Sequence, residues 1–133
     1  MNPKKNRVRT LVAEDHLPMR ARIVDILEKE FYVVAAVADG KELIEAAMAL
    51  QPDVIVSDVM MPKFTGPEAK ELLSESGLDI PFVFLTADCI AAKQIWRELD
   101  PCIEKIDLVG KLTPAVRGAA LRGTKSLLQT CAM

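Results

Sequence analysis

The side chains of this protein that could do chemistry stand where apolar runs end. "RTLVAED" closes on Glu14 and Asp15, "DVIVSD" on Asp58, "PFVFLT" on Thr86, and "DLVGKL" carries Lys111. Taking a carboxylate out of water is costly, so an acid at the end of a Val- and Ile-rich run implies a compensating cation or ligand. Acids gathered in one place raise one another's pKa. A hard divalent cation relieves that repulsion, and Mg²⁺ prefers one or two carboxylates together with waters and a phosphate oxygen. With the cation bound, one carboxylate can act as a nucleophile toward a phosphoryl group and become an aspartyl-phosphate. The transferring group spreads charge over its equatorial oxygens, which the cation, an ammonium and a hydroxyl donor would balance. Asp58 is the expected acceptor in such an arrangement, held rigid by the apolar strand beneath it.

These residues can meet only if the elements between them bring their ends together. "RTLVAE" (9–14), "YVVAAVA" (32–38), "DVIVS" (53–57), "PFVFLT" (81–86) and "DLVGKL" (107–112) read as short strands. Between them Met19, Ile23, Ile26, Leu27 and Phe31 recur at helical spacing, as do Leu43, Ala47 and Leu50. A third helix opens at Pro67 and is capped by Gly77. A fourth starts in "DCIAAKQIW" and must end or kink at Asp100-Pro101. Thr113-Pro114 opens the last, which Gly118 and Gly123 weaken by about 1 kcal/mol each. This alternation argues for an α/β fold of parallel βα units with helices on both faces of the sheet, and a doubly wound five-stranded sheet of order 2-1-3-4-5 is the expected arrangement of that kind. Right-handed crossovers put every carboxyl end of such a sheet on one edge. Glu14, Asp15, Asp58, Thr86 and Lys111 are therefore expected in one crevice, at the switch point between strands one and three.

Composition narrows the possibilities. A chain of 133 residues that is 50% hydrophobic and 27% charged is expected to form a single domain over 1–133. The net charge of −2 argues against a direct nucleic-acid binder or a coat for anionic membranes. No apolar run approaches the roughly 20 residues of a transmembrane helix, and the run after the basic start is too short for a signal peptide. Cytoplasmic location is the expectation. Cys89, Cys102 and Cys131 form no C-x-x-C pair and leave one over, which reads as reduced, buried thiols.

Taken together and in order, "AEDH", "DVIVSDVMMPKFTG", "FVFLTA" and "GK" resemble the receiver domain of two-component response regulators, the flavodoxin-like phosphoacceptor module. The resemblance covers nearly the whole chain. It implies phosphorylation at Asp58 and Mg²⁺ held by Asp15, by Glu14 through water, by Asp58 and by the backbone carbonyl of Met60. It also implies that the Thr86 hydroxyl swings toward the phosphate and that Lys111 pairs with it. The donor would be a histidine kinase, a phosphotransfer protein or a small acyl phosphate. Output would be a changed affinity for a downstream protein partner across helix 4, strand 5 and helix 5, a homodimer being one form of it. No reaction beyond the chain's own phosphorylation and dephosphorylation is implied. The chain is either a stand-alone receiver, as its initial Met suggests, or the receiver part of a longer regulator.

Each of these residues also has a simpler structural reading. Asp15 could cap the following helix, Asp58 could be a turn former, and His16, the lone histidine, is expected to be neither relay nor ligand. Met60-Met61 reads as packing, Trp96 as core or docking residue, and Arg117, Arg122 and Lys125 as a solvated face. A haloacid-dehalogenase-type phosphatase would need an Asp at position 60, where Met stands, and a nucleotide or flavin carrier would need a Gly-rich loop in place of "AEDHLPM". A binding module with a lost phosphorylation site would lack an acid or the lysine. Three departures from the receiver pattern concern the second half. Asp100-Pro101 interrupts the long gap between Thr86 and Lys111, Leu108 replaces the usual aromatic three residues before the lysine, and Leu112 replaces the proline after it. They imply an altered switch.

Overall fold

Parity along each strand sorts the core into two layers. In the computed structural model, which describes residues 7–99 and 101–131 and side chains through residue 123, the elements run β1 (Arg9–Ala13), α1 (Leu17–Leu27), β2 (Tyr32–Val37), α2 (Gly40–Leu50), β3 (Val54–Asp58), α3 (Gly66–Glu75), β4 (Phe82–Thr86), α4 (Cys89–Ile95), β5 (Cys102–Glu104) and α5 (Leu108–Cys131). All five strands are parallel, in the order β2-β1-β3-β4-β5. Side chains alternate between the faces of a strand. Val12, Val54, Val56, Val83, Leu85 and Ile103 pack with Ile23 and Leu27 of α1 and Leu112 and Val116 of α5. Leu11, Ile55, Phe82 and Phe84 face the opposite way, against Leu43 of α2, Leu73 of α3 and Ala92 of α4. Burial on both faces explains why these strands are continuous apolar runs.

The helices start where side chains satisfy their first amides. His16 caps α1 through Nδ1 and Asp39 caps α2. Thr65 and Glu68 form a reciprocal capping box on α3, and Asp88 caps α4. His16, not Asp15, thus caps α1. Met61 is buried in the core while Met60 points to solvent, and Trp96 packs half-buried against the layer that holds Phe84.

The carboxyl-terminal third corrects the sequence reading. Strand five is Cys102–Glu104, not "DLVGKL". Helix α4 ends at Ile95, ahead of Pro101, and Asp100 lies outside the described residues; the segment expected as the tail of a fourth helix supplies the edge strand instead. Lys105–Asp107 then form a 3-10 turn, and Leu108 opens α5 as a buried core residue. The helix is bent at Val109 and at Gly110, whose φ of 97° is easy only for glycine. Pro114 follows four residues after that bend, inside the helix. Arg117, read as part of a solvated face, forms an ion pair with Glu30 beyond α1, at 2.6 Å. Arg122 is exposed, and the side chain of Lys125 lies outside the described residues.

Candidate functional site: an acidic crevice closed by Lys105

The parity that builds the core also aims the site. Glu14, Asp58 and Lys105 each follow by two residues a member of one apolar layer, namely Val12, Val56 and Ile103. All three therefore emerge from the sheet's carboxyl edge on the side of α1 and α5. Ala13 is paired with Ser57, which sets Glu14 beside Asp58, and Thr86 is paired with Glu104, which brings Lys105 past the end of β4.

The Lys105 ammonium lies 2.8 Å from Asp58 Oδ2 and 3.1 Å from Glu14 Oε1. Oxygens of Glu14, Asp15 and Asp58 lie within 4.8 Å of one another, with Glu14 and Asp58 buried and Asp15 exposed. Lys111, the lysine expected here, stands on α5 instead. Its ammonium is exposed and pairs with Asp107 at 3.3 Å. The reason is the misplaced strand: with β5 starting five residues earlier, at Cys102, the lysine that follows it is Lys105. Its signal was present in the sequence, an apolar Ile103 flanked by "C" and "EK", but a three-residue edge strand is too short to announce itself by periodicity. The positions around the lysine shift accordingly. Cys102, not Leu108, stands three residues before it, and Ile106, not Leu112, stands directly after it.

Backbone contacts hold the acids in place. The Glu14 amide donates to Val37 of β2 at 3.0 Å, and Arg20 donates to the Glu14 carbonyl at 2.9 Å. Ser57 Oγ donates to the Asp58 carbonyl at 2.8 Å, while the amides of Val59 and Gly66 fold the following loop onto Leu85 and Val59. Thr86 is half-buried at the end of β4, where its hydroxyl accepts from the Asp88 amide at 3.5 Å. Gly66 has no room for a side chain: a Cβ there would lie 2.6 Å from the Asp58 carbonyl oxygen and 3.0 Å from Ser57 Oγ. Gly66→Ala should therefore cost about 1–3 kcal/mol through overpacking and displace Asp58. Urea unfolding reads the first effect, and the second would appear as weakened Mg²⁺ binding; an unchanged midpoint would show that the loop yields freely.

Electrostatics single out Glu14. Burial, reinforced by the hydrogen bond and charge of Asp58, pushes its carboxyl up to about 7, against the opposing pull of Lys105. Burial alone would depress the Lys105 ammonium, but hydrogen bonds and charges from Asp58 and Glu14 outweigh it and raise the pKa. With Glu14 at about 7 in the fold and 4.5 as its ordinary value, the folded state holds more protons than the unfolded one between those limits. Stability must then fall as pH rises through that window. Thermal unfolding in EDTA should show the decline, and Glu14→Gln should flatten it; parallel profiles for both proteins would refute this origin.

One atom points to a ligand. Among the described residues, Glu14 Oε2 is the buried side-chain oxygen or nitrogen without a hydrogen-bond partner, a costly condition for an acid. Three oxygen donors around it suit a hard cation such as Mg²⁺. A groove of about 640 Å³ between α3 and α4, lined by Lys70, Phe84, Trp96 and Arg97 among others, shares no residue with this cluster.

A flavodoxin-like sheet with acids and a lysine on its carboxyl edge defines a class, and comparison narrows it to a family. The response regulator receiver domain family matches residues 10–105, and the chain belongs to it. A hybrid signal transduction histidine kinase D of Dictyostelium discoideum is 43% identical over 84 residues, covering 62% of this chain and 5% of that protein. A protein-glutamate methylesterase/protein-glutamine glutaminase of Geobacter metallireducens is 36% identical over 100 residues, covering 73% and 28%. The chain thus spans a minor part of the curated relatives it matches. Among solved structures, the receiver domain of the Francisella response regulator 1452 superposes with a TM-score of 0.74 at 27% identity, over 86% of this chain and 98% of that one. The response regulator domain of Thermotoga maritima CheB gives a TM-score of 0.75 at 24% identity, over 86% and 97%, and speaks for the fold alone. Among the described residues, no helix is long and apolar enough to cross a membrane.

Proposed function

We propose that Asp58 accepts a phosphoryl group from the phosphohistidine of a histidine kinase or phosphotransfer protein. An Asp58 carboxylate oxygen forms the new bond to phosphorus, the phosphorus–nitrogen bond of the donor breaks, and the histidine leaves with the electron pair. The observation that carries this reading is the bridge from Lys105 to both Asp58 and Glu14. It leaves a nearly buried carboxylate at the crevice floor beside a cation able to follow charge onto the phosphoryl oxygens. Glu14, Asp15, Asp58 and the Met60 carbonyl would hold Mg²⁺, and the orphaned Glu14 Oε2 supports that assignment. When bound, the metal supplies charge neutralisation that lets an anionic donor approach. Lys105 holds Asp58 in a single orientation, Thr86 offers a hydroxyl to the phosphoryl group, and the apolar layers below keep water from the strand.

Output is assigned to the face of α4, β5 and α5, where Ile90, Ile95, Ile106 and Val109 are exposed. A phosphoryl group that withdrew Lys105 from Glu14 and Asp58 would act on the start of α5 through the 3-10 turn. Moving such a population from 1:99 to 99:1 takes about 5.5 kcal/mol of differential stabilisation. The test is incubation with Mg²⁺ and acetyl phosphate followed by intact mass. One added phosphoryl group, lost in EDTA, is the expected result; an unchanged mass with Mg²⁺ bound would overturn the reading.

A further inference from the structure

Two of the three cysteines meet in the fold. The sulfurs of Cys89 and Cys102 lie 2.9 Å apart across 13 positions of sequence. That is inside ordinary contact distance for two sulfur atoms, and a short approach separates it from the roughly 2.05 Å of a disulfide. Cys89 opens α4, three residues after Thr86, and Cys102 opens β5, three residues before Lys105. Both are half-buried, so the pair is within reach of a small oxidant.

We infer that Cys89 and Cys102 form a redox-responsive thiol pair that a hydroperoxide oxidises to an intramolecular disulfide. One thiolate attacks the peroxide oxygen, giving a sulfenic acid and releasing water (or an alcohol from an alkyl hydroperoxide). The second thiol attacks the sulfenic sulfur, the S–S bond forms, and water leaves. Two electrons pass from the thiols to the peroxide, so atoms and charge balance. A low-molecular-weight disulfide reaches the same product by two exchange steps that release two small thiols. The bond ties the start of α4 to the edge strand. It thereby closes the loop between the element that ends in Thr86 and the one that delivers Lys105. The consequence for phosphorylation rests on the proposed function: a clamped β5 restrains Lys105 from following charge onto a phosphoryl group, so uptake slows.

The experiment uses the Cys131→Ser protein, which leaves only this pair of thiols. Hydrogen peroxide or oxidised glutathione is applied and removed, and the protein is denatured, alkylated and mapped by mass. Oxidation should protect both thiols in a monomer and yield a Cys89–Cys102 cross-linked peptide that dithiothreitol reverses; Cys89→Ser and Cys102→Ser should each abolish it. Full alkylation after oxidant, or a bond found only between chains, would overturn the inference. Acetyl phosphate labelling of the oxidised and reduced forms then reads the clamp, with several-fold slower uptake expected on oxidation and equal rates refuting it. The mass map stands apart from any phosphorylation result, so failure of the phosphoacceptor reading appears separately, as a reduced form that takes up nothing.

Discussion

Asp58→Ala protein will take up no phosphoryl group from acetyl phosphate under conditions that label the wild type. Asp58 sits at the end of β3 with its side chain 9% exposed and one oxygen held by Lys105. Neither neighbouring acid is placed to replace it. Glu14 is fully buried, carries a carboxyl pushed up to about 7, and is held by its backbone to Val37 and Arg20. Asp15 is exposed beside the start of α1. The variant should still fold, because it removes one of two acids that repel each other while Lys105 keeps Glu14 as its partner. Circular dichroism and thermal unfolding check the fold, and intact mass checks the uptake. A folded variant that still gains a phosphoryl group would place the acceptor elsewhere.

Lys105→Ala should slow phosphoryl uptake on the order of 10²-fold, the typical effect of losing one preorganised donor to developing charge, whereas Lys111→Ala should leave it unchanged. The two lysines differ in what they touch. Lys105 contacts Asp58 and Glu14, and its side chain is 23% exposed; Lys111 contacts Asp107, an exposed pair one helical turn away. Exposed pairs of that kind contribute little to stability. Removing Lys105 should also strengthen Mg²⁺ binding, because the crevice loses a competing positive charge. Metal titration of both variants provides a readout independent of phosphorylation. Equal effects from the two substitutions would undo the assignment of Lys105 to the crevice.

The sequence was informative wherever an element is long or its end is chemically marked. Strands one, three and four are legible as apolar runs buried on both faces, and strand two as an apolar run on the half-buried edge; the acids after strands one and three followed from topology. Alternation implied a parallel sheet, and with the expected order 2-1-3-4-5, which the fold has, the meeting of Glu14, Asp15 and Asp58. The fifth strand escaped. A run of three residues, Cys102 to Glu104, takes its strand character from pairing with β4 rather than from its own pattern. "DLVGKL" looked more like a strand by composition, yet Leu108 and Leu112 are needed by the layer between the sheet and α5. Local propensity lost to burial there, and the choice of lysine changed with it.

What the chain itself determined is thus the fold and the acidic half of the crevice, since hydrophobic period and strand-end chemistry are local properties. What only tertiary structure decided are contacts across many residues: Lys105 against Asp58 at a separation of 47 positions, and Cys89 against Cys102. Their partners are chosen by how β5 docks on β4, a packing outcome that no short window of sequence encodes.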